Sequence, residues 1–337
     1  MKKYKKIIIT NLPAFYKIRL FNEVNKEIPL LVLFTGHSSD GRNADFYKGK
    51  IDFDYINLDR GLFLNVWLLI SLLRKSLLEE LILSGWDNIY MWIALLLSPK
   101  RKNSVIIESS IHESPISGIK GKLKKFFLSR CIKVYVPGKS NAELVYSLGF
   151  KSDLIKTKGC GVFNYIPQPK YEPREVVKRF IYVGRLVKEK NLNFLISVFN
   201  KLPELTLDIV GFGPLEEELR DMASSNITFY GAVNNEDLPS RYGEADVFIL
   251  ASHSETWGIV VEEALNNGLP VIVSDKVGCA EELINETNGL IFKSNDENSL
   301  RDVIRKILNI EYYNQLRFNI SFLNFEEVEK EQIKCYI

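Results

Sequence analysis

Short apolar runs alternate with amphipathic segments along the whole chain. In the first half the runs are "KKIIIT", "PLLVLFTG", "NIYMWI", "SVIIES" and "IKVYVPG". In the second half they are "RFIYVG", "LTLDIVG", "ITFYGA", "DVFILAS", "PVIVSD" and "GLIF". Strand-length runs separated by helical patterns are typical of parallel sheets covered by helices on both faces. The pattern predicts an α/β protein with enough strands for two doubly wound, Rossmann-like domains.

A proline-rich segment marks the expected boundary between these domains. At 337 residues the chain suits two domains of about 150 to 170 residues each. The segment "FNYIPQPKYEPREV" contains Pro167, Pro169 and Pro173 and has no apolar periodicity, as expected of a linker. We predict a first domain over 1–165 and a second over 166–320. We expect residues 321–337 to pack back on the first domain.

Charge is divided unevenly between the two halves. Residues 1–170 carry 27 Lys and Arg against 14 Asp and Glu, a net charge of +13. The remainder carries 17 against 28, a net charge of −11, so the total is only +2. This asymmetry supports two domains and predicts an anionic partner for the first, such as a membrane surface or nucleic acid.

Several features predict a cytoplasmic protein. The first apolar run is about four residues long, shorter than the seven or more in a signal peptide core. The stretch "LFLNVWLLISLLRKSLLEELIL" from Leu62 is interrupted by charges before the roughly 20 residues of a membrane span, so it predicts one or two buried helices. The cysteines lack metal-ligand spacing and are expected to be thiols: Cys131, Cys160, Cys279 and Cys335.

Two glutamates with seven residues between them follow the strand "DVFILAS". In "SETWGIVVEEALNNGLP", Glu255 lies in the loop and Glu263 in a short helix that Gly268 ends before Pro270. The two carboxylates are far enough apart to contact different parts of one extended ligand. An ionised carboxylate accepts hydrogen bonds from the hydroxyl groups of such a ligand. The alternative is that Glu255 caps the helix and Glu263 is a solvated helix residue.

Two cations follow the strand in "FIYVGRLVKEKN". Arg185 and Lys190 precede an amphipathic helix, whose N-terminus prefers anions. Both residues are explained if a diphosphate lies between them, because a guanidinium and an ammonium then share its charge. A solvated surface pair is the alternative.

Several strand-end motifs together resemble one known family. The segments "GRLVKEKN", "IVGFGPLEEEL", "FYGAV", "ADVFILASHSETWGIVVEEALNNGLPVIVSD" and "VGCAEELI", followed by "NGLIF", have the order and spacing typical of retaining glycosyltransferases of family 4, which adopt the GT-B fold. The likeness is close from Arg179 to Phe292. "NLPAFYKIRLFNEV" also resembles bacterial members that build surface polysaccharides, such as capsule, O-antigen or exopolysaccharide.

The resemblance implies roles for the second-domain residues. Glu255 would lie near the donor sugar hydroxyls, Glu263 would accept hydrogen bonds from the ribose diol, and Arg185 with Lys190 would bind the diphosphate. The remaining donor-binding candidates are Gly184, Val233, Thr256, Gly258, Ile259 and Val260, with the base met by backbone at Val233. Gly258 permits close approach of the phosphates because it has no side chain.

The first domain matches the family less closely. His112, in "ESSIHES", lies where related enzymes contact the donor sugar or the acceptor, although an ordinary loop histidine is the alternative. The acceptor-side candidates are Pro13, Gly85, Trp86 and Glu108. "TNLP" replaces the glycine-rich turn that many relatives carry, so the resemblance assigns no role to that turn. "GCGVFN" lacks the usual asparagine and aspartate, and we expect this to alter local support of the cleft.

The resemblance predicts transfer of a hexosyl or N-acetylhexosaminyl group from a nucleotide-diphosphate sugar to a saccharide acceptor, and it favours UDP over GDP. No metal is expected: the Asp-x-Asp in "IDFD" lies in an alternating strand pattern of the first half. A sugar-nucleotide epimerase of the same architecture and a non-catalytic nucleotide-sugar-binding subunit are the alternatives. Nucleic-acid binding is disfavoured because the basic residues are not interleaved with stacking aromatics.

A basic amphipathic segment predicts where the protein works. "GIKGKLKKFFLSRCIKVY" combines apolar residues with Lys120, Lys122, Lys124 and Lys125, as in helices that lie on anionic membranes. We therefore expect peripheral attachment at the inner face of the plasma membrane and a lipid-linked acceptor. The alternative is that the apolar face packs on the sheet while the lysines remain in water.

Overall fold

The computed structural model describes residues 4–36, 44–75, 78–161 and 169–337. Contacts divide the chain into two compact units: the first comprises Met1–Val162 and Glu327–Ile337, and the second comprises Phe163–Glu326. The predicted boundary at residue 165 and Pro167 lie outside the described residues. Each unit contains one parallel sheet covered by helices, as the sequence pattern predicts.

The first unit has a sheet in which seven described strands are all parallel, in the order β3-β2-β1-β4-β5-β6-β7. The strands are β1 (Lys6–Thr10), β2 (Leu30–Phe34), β3 (Asp54–Asn57), β4 (Glu80–Leu83), β5 (Asn103–Ile106), β6 (Lys133–Val136) and β7 (Asp153–Lys156). The helices are α1 (Phe15–Glu27), α2 (Leu62–Lys75), α3 (Ile89–Leu97), α4 (Gly118–Ser129), α5 (Lys139–Ser147) and the last helix of the chain, α13 (Phe325–Lys334).

Two apolar cores form because the buried strands present side chains to both faces of this sheet. Residues of α2 to α5 pack in one core, and residues of α1 with Tyr336 pack in the other. The ring of Tyr336, just after α13, stacks on Tyr135 of β6 with ring centroids 4.8 Å apart. The end of the chain is therefore anchored in the first unit.

Two sequence predictions in this unit are wrong. The segment "NIYMWI", predicted as a strand, is the start of α3, which Asn88 caps by accepting a hydrogen bond from the Tyr90 amide at 2.9 Å. The stretch from Leu62, predicted as buried helices, comprises α2 followed by the strand β4. Helix α3 is apolar on all sides, so periodicity does not distinguish it from a strand. The pattern also failed to predict β7.

Helix α4 has both buried and exposed apolar residues, so it packs on the sheet and also presents apolar side chains to the surface. Phe127 and Leu128 are buried in the core, whereas Phe126 is exposed. Lys124 is also buried: its ammonium donates to the Ser114 hydroxyl and, at 3.1 Å, to the Pro115 carbonyl. Lys124 is therefore excluded from the basic surface, which retains the exposed lysines 120, 122 and 125.

The second unit has a parallel sheet in the order β10-β9-β8-β11-β12-β13. Its strands are β8 (Arg179–Val183), β9 (Thr206–Val210), β10 (Ile227–Gly231), β11 (Val247–Leu250), β12 (Val271–Ser274) and β13 (Gly289–Phe292). Its helices are α6 (Leu192–Phe199), α7 (Glu216–Met222), α8 (Leu238–Glu244), α9 (Ile259–Asn266), α10 (Ala280–Leu283), α11 (Glu297–Ile307) and α12 (Ile310–Ile320).

A buried polar network joins four strands of the first sheet. The Glu80 carboxylate lies 2.9 Å from the Lys6 ammonium and accepts hydrogen bonds from Ser104 at 2.6 Å and Tyr135 at 2.9 Å. Burial alone would raise the pKa of Glu80, but the Ser104 hydrogen bond and the charges of Lys6 and Lys133 lower it below its ordinary value of 4.5.

We expect Glu80→Gln to lower the free energy of unfolding at pH 7 by about 2 kcal/mol, because it leaves the Lys6 charge buried with a weaker partner. The depressed pKa means that Glu80 stabilises the fold above pH 4.5 and that this contribution is lost as the pH falls through the native pKa. Denaturant unfolding measured from pH 3 to pH 7 should therefore show a shrinking difference at low pH.

Glu79→Gln is the matched control, since this neighbouring glutamate is exposed and pairs with the exposed Lys5 at 3.2 Å. It should change stability by less than about 0.5 kcal/mol. Equal effects of the two substitutions would contradict the assignment of the network.

Candidate active site

The candidate site lies at the carboxyl ends of β8 and β11. These strands are neighbours in the second sheet, although β9 and β10 come between them in the chain, so connections leave β8 and β11 in opposite directions. Such a reversal of strand order leaves a crevice in which open α/β sheets bind ligands. Gly184 and Arg185 follow β8, and Glu255 lies five residues after β11.

An ion pair joins the two loops. The Lys190 ammonium contacts a carboxylate oxygen of Glu255, and the two side chains are only 15% and 14% exposed. Lys190 ends a short 3-10 turn, Lys188–Lys190, that precedes α6. The structure thus brings together the residue expected at the diphosphate and the residue expected at the sugar, and Glu255 does not cap the helix.

Tyr182, which the sequence analysis missed, fixes the turn after β8. Its hydroxyl donates to the Arg185 carbonyl at 2.8 Å. Burial and then the nearby Glu255 charge raise the pKa of Tyr182 well above its ordinary value, so it remains a donor. The Arg185 side chain is exposed and forms no ion pair with any residue that the structure describes. It is therefore available to an anionic ligand.

The loop that carries Glu255 is held by backbone hydrogen bonds to residues 276–279. The Glu255 amide donates to the Lys276 carbonyl at 3.2 Å, and the Gly278 amide donates to the Glu255 carbonyl at 2.9 Å. A Cβ atom at position 278 would lie 2.0 Å from the Thr256 carbonyl oxygen. Only glycine at position 278 permits this approach, which places both Thr256 and Glu255.

Gly258 begins helix α9 in the left-handed region, with φ of 103°. A residue with a side chain would be strained there. Ile259 and Val260 follow in the first turn of α9, where amides lack partners within the helix and can receive an anion. The structure therefore places amide donors beside the loop that carries Glu255.

Two adjacent glutamates of α9 are removed from water. Glu263 is partly buried and accepts a hydrogen bond from the Tyr242 hydroxyl at 3.3 Å. Burial raises its pKa to about 7, opposed by that hydrogen bond. Glu262 is buried, and burial raises its pKa to about 8, with the Trp257 side chain lowering it and the Glu263 charge raising it. Tyr242, on α8, had no recognisable signal in the sequence.

Val233, expected to lie near the base, is half-buried and follows β10 by two residues. Strand β10 is at the edge of the second sheet and is two places from β8. Because all these strands are parallel, Val233 lies at the carboxyl ends of the strands, as Arg185 and Glu255 do.

The candidate residues of the first unit also lie beyond the carboxyl ends of strands in its sheet. Glu108 follows β5, and its carboxylate pairs with the buried ammonium of Lys17 at 2.9 Å. Lys17 was not predicted. The Ser84 hydroxyl lies 3.5 Å from the same ammonium, and the Asn141 amide donates to the Glu108 carbonyl at 2.6 Å. Glu108 is therefore fixed at both its backbone and its side chain.

The other candidates have different environments. Gly85, with φ of 106°, begins the loop that precedes α3. Trp86 is buried in the core, with its carbonyl accepting from the Trp92 indole at 2.8 Å, so its ring supports the loop. Pro13 is half-buried before α1, and His112 is exposed four residues beyond Glu108. The structure does not bring His112 to the Lys17–Glu108 pair.

The aspartates of "IDFD" have structural partners. Asp52 lies 2.8 Å from Lys50, and Asp54 accepts a hydrogen bond from Tyr4 at 2.8 Å. Within the described ranges, no cluster of three or more His, Cys, Asp or Glu side chains is arranged to hold a metal ion.

We expect Glu262→Gln to stabilise the protein progressively as the pH rises from 5 to 7. The raised pKa means that folded Glu262 stays protonated up to about pH 8, whereas the unfolded residue loses its proton near pH 4.5. Its contribution to stability therefore falls by about 1.4 kcal/mol per pH unit in this window, and glutamine removes this slope.

Unfolding free energies measured at pH 5, 6 and 7 provide the test. Glu286→Gln is the control, because this exposed glutamate is only 3.9 Å from the half-exposed Lys306. A variant curve that runs parallel to the wild-type curve would contradict a proton on Glu262.

The family described as "Glycosyl transferases group 1" matches residues 168–320. The chain is 34% identical over 155 residues to sulfoquinovosyl transferase SQD2 of Arabidopsis thaliana, covering 44% of this chain and 30% of that protein. It is 34% identical over 158 residues to the O-antigen biosynthesis glycosyltransferase WbnH of Escherichia coli, covering 46% of this chain and 44% of that protein.

The matched segments thus span less than half of either relative. Similarity of structure extends further: HepE of Anabaena, solved in complex with UDP-glucose, superposes with a TM-score of 0.71 at 12% identity and with 98% of each chain covered. The chain therefore has the GT-B fold, and its residues 168–320 match the glycosyl transferases group 1 family.

Proposed function

We propose that the protein transfers a sugar, with retention at the anomeric carbon, from a nucleotide-diphosphate sugar to a saccharide acceptor during synthesis of a surface polysaccharide. The observation that carries this proposal is the convergence of Arg185, Lys190 and Glu255 at one strand-end crevice. The O-antigen function named for WbnH supports the pathway class. The UDP-glucose bound to HepE supports UDP as the carrier.

The diphosphate is assigned to Arg185 and Lys190. Arg185 is exposed, whereas Lys190 is paired with Glu255 in the protein without ligand. A diphosphate brings more negative charge than one carboxylate, so it competes for the Lys190 ammonium. The first-turn amides of Ile259 and Val260 add donors without adding a movable charge.

The ribose diol is assigned to Glu263. An ionised carboxylate accepts hydrogen bonds from two hydroxyls, and the Tyr242 hydroxyl holds one of its oxygens. With its pKa near 7, Glu263 must lose any proton when the diol binds. Glu255 is then left to face the hydroxyls of the transferred sugar.

Chemistry at the anomeric carbon follows from this arrangement. The bond from that carbon to the diphosphate oxygen breaks, and Arg185 and Lys190 stabilise the negative charge that the leaving oxygen gains. Fixed donors at a developing charge are usually the largest catalytic contribution, about 3 to 4 kcal/mol for one donor. The leaving phosphate takes the proton of the acceptor hydroxyl, whose oxygen bonds the anomeric carbon on the same face. No covalent glutamate intermediate is required.

The acceptor is assigned to the strand-end loops of the first unit. The Glu108 carboxylate, fixed by Lys17, is suited to accept hydrogen bonds from saccharide hydroxyls. Pro13, Gly85 and the loop that Trp86 supports are assigned to the same acceptor side, and His112 to a sugar contact.

We expect the two glutamates to separate binding from turnover. Glu263→Ala should raise the donor KM at least tenfold, because charge-assisted hydrogen bonds contribute about 1.5 to 3 kcal/mol each. Glu255→Gln should lower kcat while UDP alone binds as tightly as before or more tightly, because Lys190 is released. Arg185→Ala should lower kcat about 100-fold. UDP release and calorimetric titration with UDP measure these effects.

Arg305→Ala is the matched control for Arg185→Ala, since Arg305 is an exposed arginine of the same unit that pairs with Asp302 at 2.9 Å. Unchanged kcat/KM in the Arg185, Lys190 and Glu263 alanine variants would refute the site. Much weaker UDP binding by Glu255→Gln would refute the division between the glutamates.

We further propose peripheral attachment to anionic lipid, which would bring the enzyme to a lipid-linked acceptor at the inner face of the membrane. Support comes from the net charge of +13 over residues 1–170 and from the exposed lysines of α4. Each basic residue near an anionic surface contributes up to about 1 kcal/mol, and the effect fades beyond a Debye length. None of the helices in the described ranges has the length and apolar character to cross a membrane.

We expect Lys120, Lys122 and Lys125 changed together to glutamine to weaken co-sedimentation with vesicles that contain phosphatidylglycerol by at least tenfold at low salt. Lys293→Gln with Arg305→Gln and Lys306→Gln, all at exposed positions of the second unit, is a control of equal charge change. Equal losses from both triple variants would show a general charge effect and contradict a docking role for α4.

A further inference from the structure

Helix α3 is apolar throughout yet lies at the surface of its unit. Its sequence is IYMWIALLL, and the fully buried positions are only Met91, Ala94 and Leu95. Ile89, Leu96 and Leu97 are exposed. A helix that is apolar on all sides is normally covered by protein or by lipid. The outer side of α3 therefore marks a surface suited to a partner.

The start of α2 extends this surface on one side. Phe63 is 84% exposed and Trp67 is 64% exposed, and Leu62 and Leu64 are exposed beside them. The Asn65 side chain donates to the Tyr90 hydroxyl of α3 at 2.9 Å, which fixes the two helices together. Aromatic side chains this exposed contribute nothing to the core of their own unit.

Helix α4 extends the surface on the other side. Ile119, Leu123 and Phe126 are exposed with the i, i+4, i+7 spacing of one helical stripe. The Phe126 ring is parallel to Trp92 of α3, with centroids 6.5 Å apart. We call the combined surface the α2–α4 face; it comprises Leu62, Phe63, Leu64, Trp67, Ile89, Leu96, Leu97, Ile119, Leu123 and Phe126.

The charged residues within α2, α3 and α4 are all basic, although the exposed Asp87 lies two residues before α3. The sequences of α2, α3 and α4 contain no aspartate or glutamate. Exposed Lys120, Lys122 and Lys125 lie along the α4 stripe, and exposed Lys100 and Arg101 follow α3. A second copy of this chain would bring the same positive charge against it, whereas the headgroups of an anionic bilayer complement it.

We propose that the α2–α4 face inserts into the headgroup and acyl boundary of an anionic bilayer, with Phe63 and Trp67 as its deepest side chains. The inference deepens the proposed attachment to lipid, on which it rests, by adding a hydrophobic component that salt does not screen. Apolar side chains of a membrane-surface helix typically reach about 5 to 10 Å into that boundary, and the basic residues remain among the headgroups.

Vesicles of phosphatidylcholine with phosphatidylglycerol test the proposal without any substrate. Wild-type protein should retain a bound fraction at 0.5 M salt, where exposed charges are strongly screened. Phe63→Ser with Trp67→Ser should lower vesicle affinity at least tenfold at that salt concentration. The control is Phe318→Ser with Phe322→Ser, which removes two exposed phenylalanines from the second unit and should bind as wild type.

Fluorescence adds a direct measure of insertion. Brominated acyl chains should quench tryptophan emission in the wild type, and Trp67→Phe should lose most of this quenching while keeping its affinity. The other tryptophans, Trp86, Trp92 and Trp257, are buried or partly buried.

Binding of the serine variant equal to that of the wild type, or absence of quenching, would overturn the proposal. A wild-type dimer in sedimentation velocity that the serine variant abolishes would instead assign the face to a second copy. Calorimetry with UDP distinguishes failure of insertion from failure of the proposed function: a chain that binds UDP but not vesicles keeps its donor site and loses only the bilayer assignment.

Discussion

The ion pair between Lys190 and Glu255 depends on one constraint, that β8 and β11 are adjacent parallel strands. Their carboxyl ends meet at one edge of the sheet, so residues 65 positions apart become neighbours. Two further hydrogen bonds fix the same loops: His253 donates its amide to the Glu189 carbonyl at 3.0 Å, and the Asn191 side chain donates to the Ala251 carbonyl at 3.2 Å. The charges are thus positioned by the fold before a ligand binds, which is the arrangement that favours electrostatic catalysis.

Burial of the two α9 glutamates has a cost in stability that the fold alone does not explain. An isolated carboxylate in an apolar environment tends to take up a proton, as the raised pKa values of Glu262 and Glu263 show. Natural proteins keep unfavourable features such as buried carboxylates mainly at functional sites. Glu263 has a proposed ligand, whereas Glu262 lies beside the Trp257 side chain.

The sequence predicted the parallel sheets and the strand-end motifs because both depend on local patterns. Arg185 and Glu255 were recognisable as candidates because each lies in a loop between a buried strand and a helix. Lys17, Tyr182 and Tyr242 were not, because their partners at Glu108, Arg185 and Glu263 are supplied by tertiary packing. Helix α3 was assigned as a strand for a related reason: its outer side is as apolar as its inner side, so the helical period is absent from the sequence.

The two halves of the chain have opposite net charges. Residues 1–170 carry a net charge of +13 and include the helices α2 to α4, which contain no acidic residue, whereas residues 171–337 carry −11 and have cations concentrated after β8. Because Arg185 and Lys190 stand in an otherwise acidic unit, their attraction for a diphosphate is local and depends on geometry. Long-range steering by that unit would disfavour an anion.

Calorimetric titration with UDP and with UMP tests the central claim most directly. The two ligands share the base and the ribose and differ by one phosphate, so their difference in affinity isolates the contribution of the strand-end cations. The account predicts that UDP binds at least tenfold more tightly than UMP at 0.15 M salt. Equal affinities, or no binding of either nucleotide, would contradict the assignment of Arg185 and Lys190 to a diphosphate.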